Sequence, residues 1–389
     1  MSETHNFVPE LARLGKTYHV YIVDSSSHFF WSTGSPRSVV SAKLLPADTL
    51  FAPIADGFKS YDSSLYTIIH GTAESWDVRG RTVVIKLADG ENTQTLPYYA
   101  LVLATGTRTP SPATSLHGNY TISNAAIADL NKKLASATSV IVAGGGPTGV
   151  ETAGEIGHFL DGSAGWFSSR PSNPKAKVTV ITKDDKLLPV LGKSRALGAE
   201  TLLNRVGVDV VYNVSVVSST TVNLSNGEQW TADVYIPALG VTPNSEYVPA
   251  DLKNDRGYVK TNNATLRVDT AGPRVYVVGD VGDYSRGGFH NLYGAIPVLA
   301  TNIKRDLLAA ATSDNPDTKP EGSDRLFIPN SSETQAVPMG PAGVGTVNGW
   351  GLPSFLIWLF KGRNYMVGNI PITVNGDMVR KNNTEWNPN

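Results

Sequence analysis

The stretch Val140 to Glu155, VIVAGGGPTGVETAGE, constrains the fold more than any other. Val140, Ile141, Val142 and Ala143 form a short apolar run of the kind that makes a buried parallel strand. Gly144, Gly146 and Gly149 then spell G-x-G-x-x-G, and helix-compatible sequence follows from Val150 to Leu160. The first glycine permits a tight strand-to-helix turn. The second lets the backbone approach a pyrophosphate, and the third lets helix and strand pack closely. The helix N-terminus adds unpaired N–H groups and a partial positive charge for the phosphates. A lone triplet is equally a glycine-rich turn; the strand before it and the helix after it are the context that dinucleotide binding needs.

At 389 residues the chain is long enough for two or three domains of about 100–200 residues each. Hydrophobic residues make up 41% and charged residues 17%, the balance of a packed globular protein. With 33 basic and 34 acidic residues there is no basic excess to recruit nucleic acid, and that class is set aside. The absence of cysteine removes disulfides, thiolate metal sites, cysteine nucleophiles and any redox C-x-x-C. It suits a reducing, cytoplasmic compartment. The seven histidines are scattered, so no metal site is expected. No apolar run of signal-peptide length opens the chain, and none approaches the roughly 18 residues of a spanning helix.

Tyr18 to Val23 reads as a strand that ends at Asp24, where an acid in a dinucleotide fold accepts hydrogen bonds from an adenosine ribose. The alternative is a surface Asp opening the turn at Ser25. Such a strand should be the second of its unit, yet Met1 to Thr17 hold only one glycine, Gly15, and Phe7 to Leu14 suit the end of a crossover helix. Thr82 to Leu87 and Tyr99 to Ala104 are further strands. The second runs into Thr105-Gly106-Thr107, with Pro110 and Pro112 marking a domain crossing. Ala125 to Leu134 is helical. Lys177 to Ile181 is the second strand of the glycine-triplet unit, followed by Thr182 and Lys183 where an acid would select NAD. A 2′-phosphate is tolerable there, although Lys183 is equally a solvated surface residue. Ala196 to Val206 reads as a helix, Val208 to Tyr212 as a strand, and Val222 to Trp230 as a hairpin turning on Asn226-Gly227. Val234 to Leu239 ends at Gly240, and Arg274 to Val278 runs into Gly279-Asp280. Asn291 to Ala310 is a helix.

Beyond Arg325 five glycines between Gly340 and Gly351 loosen the chain. The apolar run Phe355 to Phe360 then ends in Lys361-Gly362-Arg363. It is too short to cross a bilayer. It reads as a buried helix or a dimer contact, with interfacial membrane contact as the alternative, the cations lying at the headgroups.

HVYIVDSSSHFFWSTGSPR (19–37), LVLATGT (101–107), VIVAGGGPTGVETAGEI (140–156) and VYVVGDVGD (275–283) occur in an order that resembles the pyridine nucleotide-disulfide oxidoreductase superfamily. Within it the chain is similar to the apoptosis-inducing-factor-like branch with ferroptosis suppressor protein and type II NADH dehydrogenases. The tail GVGTVNGWGLPSFLIWLFKGRNY (343–365) adds to that resemblance. The resemblance implies an α/β fold of two Rossmann-like domains. Residues 1–117 and 246–322 would bind FAD, 118–245 would bind NAD(P)H, and 323–389 would form a C-terminal segment. It implies that Asp24 holds the FAD ribose and that Arg37 stands among the cofactor-binding residues. Thr105 and Gly106 would lie against the flavin nucleotide, while Gly279 and Asp280 would grip the FAD pyrophosphate and ribityl chain. Gly144, Gly146 and Gly149 would cradle NAD(P)H, with Gly240 at the return crossing. Glu151 would sit near the nicotinamide as a catalytic residue, or else serve as an acid at the helix N-terminus. The implied reaction passes electrons from NAD(P)H through flavin to a quinone-like acceptor. A flavin-dependent oxidoreductase of a small aromatic metabolite and a non-catalytic cofactor-binding protein are the alternatives. Peripheral contact with a cellular or mitochondrial membrane and homodimerisation are further expectations. The family's first glycine triplet does not occur in this sequence. Its absence predicts open strand edges in the FAD-side sheet and weak flavin retention.

Overall fold

The computed structural model describes residues 14–218, 222–313, 315, 317–330 and 333–380. The expected crossover-helix end at Phe7 to Leu14 lies outside them, except for Leu14.

Strand β1 (Val20–Asp24) pairs in parallel with the first half of β2 (Tyr66–Asp77), from Val20 opposite Tyr66 to Asp24 opposite His70. After a bulge between Ala73 and Ser75, the second half of β2 continues as an antiparallel meander with β3 (Thr82–Leu87) and β4 (Thr93–Pro97). β2 and β4 were not anticipated. Only alternate positions such as Ile69, Trp76 and Leu96 are buried, and the polar positions between them mask the strand pattern. β5 (Leu101–Leu103) is shorter than the expected strand.

Helix α1 (Tyr120–Leu134) starts five residues earlier than expected, because the Asn119 side chain accepts the Thr121 amide and caps it. β6 (Ser139–Ala143), α2 (Pro147–Asp161), β7 (Lys177–Ile181), α3 (Lys193–Arg205), β8 (Val208–Val211) and β9 (Val234–Pro237) complete the second unit. Its sheet runs β8-β7-β6-β9 with every pair parallel. Val140 to Ala143 are buried on both faces, which explains their unbroken apolar character. A small antiparallel sheet over 216–230 turns on Asn226-Gly227 as expected.

β10 (Val275–Val277) pairs in parallel with β5, and α4 (Phe289–Ala311) follows. Among the described residues no strand joins the β5–β10 pair to the β1–β2 sheet, and Tyr21 and Val102 stay exposed. Among the described residues, the edges of β1 and of the β5–β10 pair that were expected to lie open have no strand beside them.

The C-terminal glycines do not loosen the chain, contrary to expectation. β11 (Gln335–Met339), β12 (Ala342–Val347) and β13 (Trp350–Gly351) form an antiparallel sheet. Its glycines make room for close packing: a Cβ on Gly343 would lie 2.5 Å from Ile357 Cγ2. Only Ile357 of the Phe355–Phe360 run is buried. Phe355, Trp358, Leu359 and Phe360 face outwards, which corrects the buried-helix reading. No helix among the described residues is long and apolar enough to cross a membrane.

α2 is the central helix, buried from Gly149 to Gly157. It packs on its own sheet and, through Gly154, on β11: a Cβ there would lie 2.6 Å from Met339 Cβ and 2.8 Å from its Cα. Gly154→Ala is therefore expected to destabilise the protein by about 1–3 kcal/mol in denaturant unfolding, despite the better helix propensity of alanine. Unchanged or increased stability would refute this packing.

Candidate active site

Gly144, Gly145, Gly146 and Gly149 surround the start of α2, and the space around each shows its task. Gly144 has φ +125°, and a Cβ there would collide with the Ala238 carbonyl of the strand end beside it. A Cβ on Gly149 would strike the Gly144 carbonyl, so these two glycines serve the turn and its packing. A Cβ on Gly145 would meet the Thr182 hydroxyl at 2.7 Å. Gly146 is different: its backbone is extended (φ −77°, ψ 178°) and nothing lies within 4 Å of a Cβ built there. Pro147 follows at the helix start, where its missing N–H costs nothing. Open space over a helix N-terminus is what a pyrophosphate requires, and these residues fit NAD(P)H. Thr182 is buried against Gly145, while Lys183 is exposed.

The two crossings between the halves are tied together. Thr107–Arg108 pairs antiparallel with Thr242–Pro243. The Asn244 amide donates to the Gly106 carbonyl at 2.9 Å, and its side chain donates to the Thr105 carbonyl at 2.8 Å. The Thr105 hydroxyl donates back to the Asn244 carbonyl at 2.6 Å. Gly106 (φ +63°) and Gly240 (φ +96°) both have open space beside them. Asn244 was passed over in the sequence; its signal was its place just past a glycine at a strand end.

β5 and β10 end side by side, which brings Thr105 and Gly106 close to Gly279 and Asp280. Gly279 has φ +81°, and only Leu292 Cδ1, at 3.9 Å, comes near its missing side chain. Its amide donates to the Tyr284 hydroxyl at 2.8 Å. The Asp280 carboxylate accepts the Gly288 amide at 2.9 Å, immediately before α4. Asp24 ends β1 in the other sheet and accepts the Ser26 amide at 2.8 Å; burial raises its pKa. These residues fit the ribose and flavin ends of FAD, but the described residues offer it no second glycine cradle for its pyrophosphate.

Glu151 and Glu155 lie one turn apart on α2 and are only 3% and 2% exposed. Arg37 forms a two-pronged ion pair with Glu155, both contacts 2.8 Å, and stacks over the Tyr365 ring at 4.7 Å. Arg37, read in the sequence among the cofactor-binding residues, is held in place by Glu155. Burial opposes its charge, but the bonds to Glu155 outweigh that and raise its pKa. The Tyr365 hydroxyl donates to Glu155 at 3.2 Å, and burial followed by the two carboxylates raises its pKa far above the usual tyrosine value. Lys361 donates to Glu151 and, at 3.1 Å, to the Ala336 carbonyl. It turns inwards, away from the headgroup position that the membrane alternative gave it. Burial pushes the Glu151 pKa up to about 7 against the pull of Lys361. Lys361, Glu155 and Tyr365 were missed; the i,i+4 spacing on the expected helix marks Glu155 as a neighbour of Glu151, whereas nothing in the sequence marks Lys361 or Tyr365.

Residues 5–298 match the family described as pyridine nucleotide-disulphide oxidoreductase. The chain belongs to that family. It is an oxidoreductase of the FAD- and NAD(P)-dependent kind. It is 40% identical over 374 residues to the oxidoreductase phnG of Penicillium herquei, a match covering 92% of this chain and 88% of that one. It is 24% identical to the type II NADH:quinone oxidoreductase NdhA of Mycobacterium tuberculosis, covering 77% of this chain and 69% of that one. Its fold resembles NDH2 from Plasmodium falciparum, solved in complex with NADH, with TM-score 0.62, 12% identity and coverage of 93% and 94%. Within the family it is similar to the apoptosis-inducing-factor-like and NDH2-like members: it is also 24% identical over 304 residues to apoptosis-inducing factor homolog A of Dictyostelium discoideum, covering 70% of this chain and 67% of that one.

Gly146→Leu is expected to melt like the wild type, since its side chain enters open space, yet to lose NAD(P)H affinity by more than about tenfold in a fluorescence titration. Retained affinity would remove the cradle. Glu151 gives a second test. Below its ordinary pKa of 4.5 the carboxyl is neutral in folded and unfolded chains alike; between 4.5 and about 7 the unfolded chain ionises first, so stability falls as pH rises. Glu151→Gln removes this pH dependence, so whatever the offset from the lost Lys361 pair, the stability difference between variant and wild type should move in the variant's favour from about pH 5 to about pH 8 in denaturant unfolding. Parallel pH curves would contradict the assignment.

Proposed function

We propose that this oxidoreductase carries electrons from NAD(P)H to a quinone-like acceptor, with Glu151 handling the proton. The observation that carries the reading is the buried Glu151–Lys361 pair, two residues beyond Gly149 on the helix that presents the dinucleotide cradle. Reduction of a quinone by NAD(P)H consumes one proton besides the hydride: NAD(P)H, a proton and the quinone give NAD(P)+ and the quinol. A carboxyl titrating near 7 can hold and release that proton at working pH. Lys361 fixes the carboxyl in place and favours its ionised form once the proton has left.

FAD, when bound, supplies the two-electron relay between donor and acceptor. Gly146 and the N-terminus of α2 would hold the nucleotide phosphates, and the paired crossings at Gly106 and Gly240 would set the two halves in register. The chain has no cysteine, so no thiol pair can stand between flavin and acceptor. Similarity to the type II NADH:quinone oxidoreductase NdhA supports a quinone as the acceptor. A groove of about 340 Å³ walled by Leu44, Phe159 and Trp358, with Arg37 and Glu155 among its lining residues, offers a ring-shaped molecule an apolar surface beside the charge cluster. The outward-facing Phe355, Trp358, Leu359 and Phe360 suit contact with the lipid in which such an acceptor dissolves.

The test is an absorbance scan of the purified protein, followed by NADH and NADPH consumption with a soluble quinone and with oxygen alone after adding FAD. Faster turnover with quinone, reduced at least about tenfold in Glu151→Gln, is the expected result. Equal rates with quinone and oxygen would leave the aromatic-metabolite reading in its place.

A further inference from the structure

The loop between α2 and β7 carries two aromatic side chains with almost no protein contact. Trp166 is 91% exposed and Phe167 99%. They occupy the two corner positions of a tight turn closed by the Ser168 amide donating to the Gly165 carbonyl at 3.1 Å. Corner positions are normally taken by Gly, Pro, Asn, Asp or Ser, for conformational reasons that Trp and Phe do not share.

The turn is anchored from below. Arg205, at the end of α3, donates to the Ser168 carbonyl at 3.0 Å and to the Ala164 carbonyl at 3.2 Å. The Ala164 amide donates to the Arg205 carbonyl at 2.7 Å, and Ala164 itself is buried. Further along, Arg170 bonds Asn204 at 3.0 Å and Asp209 at 2.5 Å. The aromatic pair is thus held out from the body by a fixed base. Around that base the charge is positive: Arg170, Lys175 and Lys177 line one groove in which Asp209 is the only acid. Lys177 lies over the Trp230 ring, and the Asp161 carboxylate is engaged by the Lys175 and Ala176 amides. This local excess stands out on a chain of net charge −1.

We propose that the Trp166-Phe167 turn is a membrane hook, which inserts its two rings at the headgroup level of an anionic lipid surface while Lys175 and Lys177 meet the lipid phosphates and Arg170, paired with Asp209, holds the base of the loop. Tryptophan favours that level because its ring is apolar and its N–H can stay hydrated. The cations add attraction to anionic lipid that falls off within a Debye length.

The full chain is incubated with vesicles of phosphatidylcholine alone and of phosphatidylcholine with phosphatidylserine, and the bound fraction is read by flotation. Wild type is expected to bind the anionic vesicles, and Trp166→Ser with Phe167→Ser should lower the partition coefficient at least about tenfold. Both residues are exposed, so the double variant should keep its melting temperature and its NADH binding in solution. Lys175→Ala with Lys177→Ala should weaken binding to anionic vesicles and reduce its salt sensitivity. Failure of wild type to float with either vesicle would overturn the proposal and turn attention to a protein partner for the loop. So would undiminished binding by the aromatic double variant. Binding abolished only by Phe355→Ser with Trp358→Ser would also refute it and assign the contact to the C-terminal run.

Discussion

Two carboxylates one turn apart on a buried helix set the terms for the rest of this molecule. Neither Glu151 nor Glu155 can be charged in the interior without a partner. Each partner comes from a different part of the chain: Arg37 from the N-terminal half, 118 residues before Glu155, and Lys361 from the C-terminal segment, 210 residues after Glu151. Tyr365 joins the two pairs, bonding Glu155 through its hydroxyl while its ring lies beneath Arg37. Its own carbonyl accepts the Trp31 indole N–H at 2.8 Å. Breaking a buried pair of this kind by removing one member typically costs about 3–5 kcal/mol. Helix α2, which starts at the glycine triplet, is thereby clamped from both sides, and the C-terminal segment is bonded to it.

Glycine makes this arrangement possible in several unlike ways. At Gly144 and Gly149 it lets one backbone approach another, and a side chain would have no room. At Gly154, Gly343 and Gly345 it lets helix and tail sheet pack at short range. At Gly146 it leaves space that the protein itself does not fill. The cluster of glycines beyond residue 340 looks in sequence like a loosened tail, yet it is an ordered sheet, because small residues serve close packing as readily as flexibility.

The half that carries Asp24 and Gly279 is built on different terms from the half that carries the glycine triplet. The four parallel strands around β6 form one continuous sheet. The β1–β2 and β5–β10 pairs form two separate ones. What aligns the β5–β10 pair with the glycine-triplet unit is the double crossing tied by Asn244, with Arg108 bonding the Asn244 side chain at 2.8 Å and pairing with Glu246 at 2.6 Å. Thr105, Gly106, Gly279 and Asp280 come together because their strands pair in register, whereas Asp24 belongs to the neighbouring sheet.

Much of this was legible before any coordinates. The β6–α2 unit announced itself because a strand buried on both faces must be continuously apolar, and because a helix that starts beneath a phosphate needs glycine at fixed places. The family order of Asp24, Thr105-Gly106, Gly144 to Gly149 and Gly279-Asp280 was local information, written in a few adjacent residues each. β2 and β4 escaped because half-exposed strands carry polar residues at alternate positions. The partners of Glu151 and Glu155 escaped for a stronger reason. Which cation meets a buried carboxylate depends on how distant segments fold back on the helix, and nothing near either glutamate in the chain records that. Local sequence determined the cradle and its glycines; tertiary structure alone decided that Lys361 turns inwards, that Phe355 to Phe360 face outwards, and that Arg37 pairs with Glu155, because those outcomes are settled by burial and pairing across hundreds of residues.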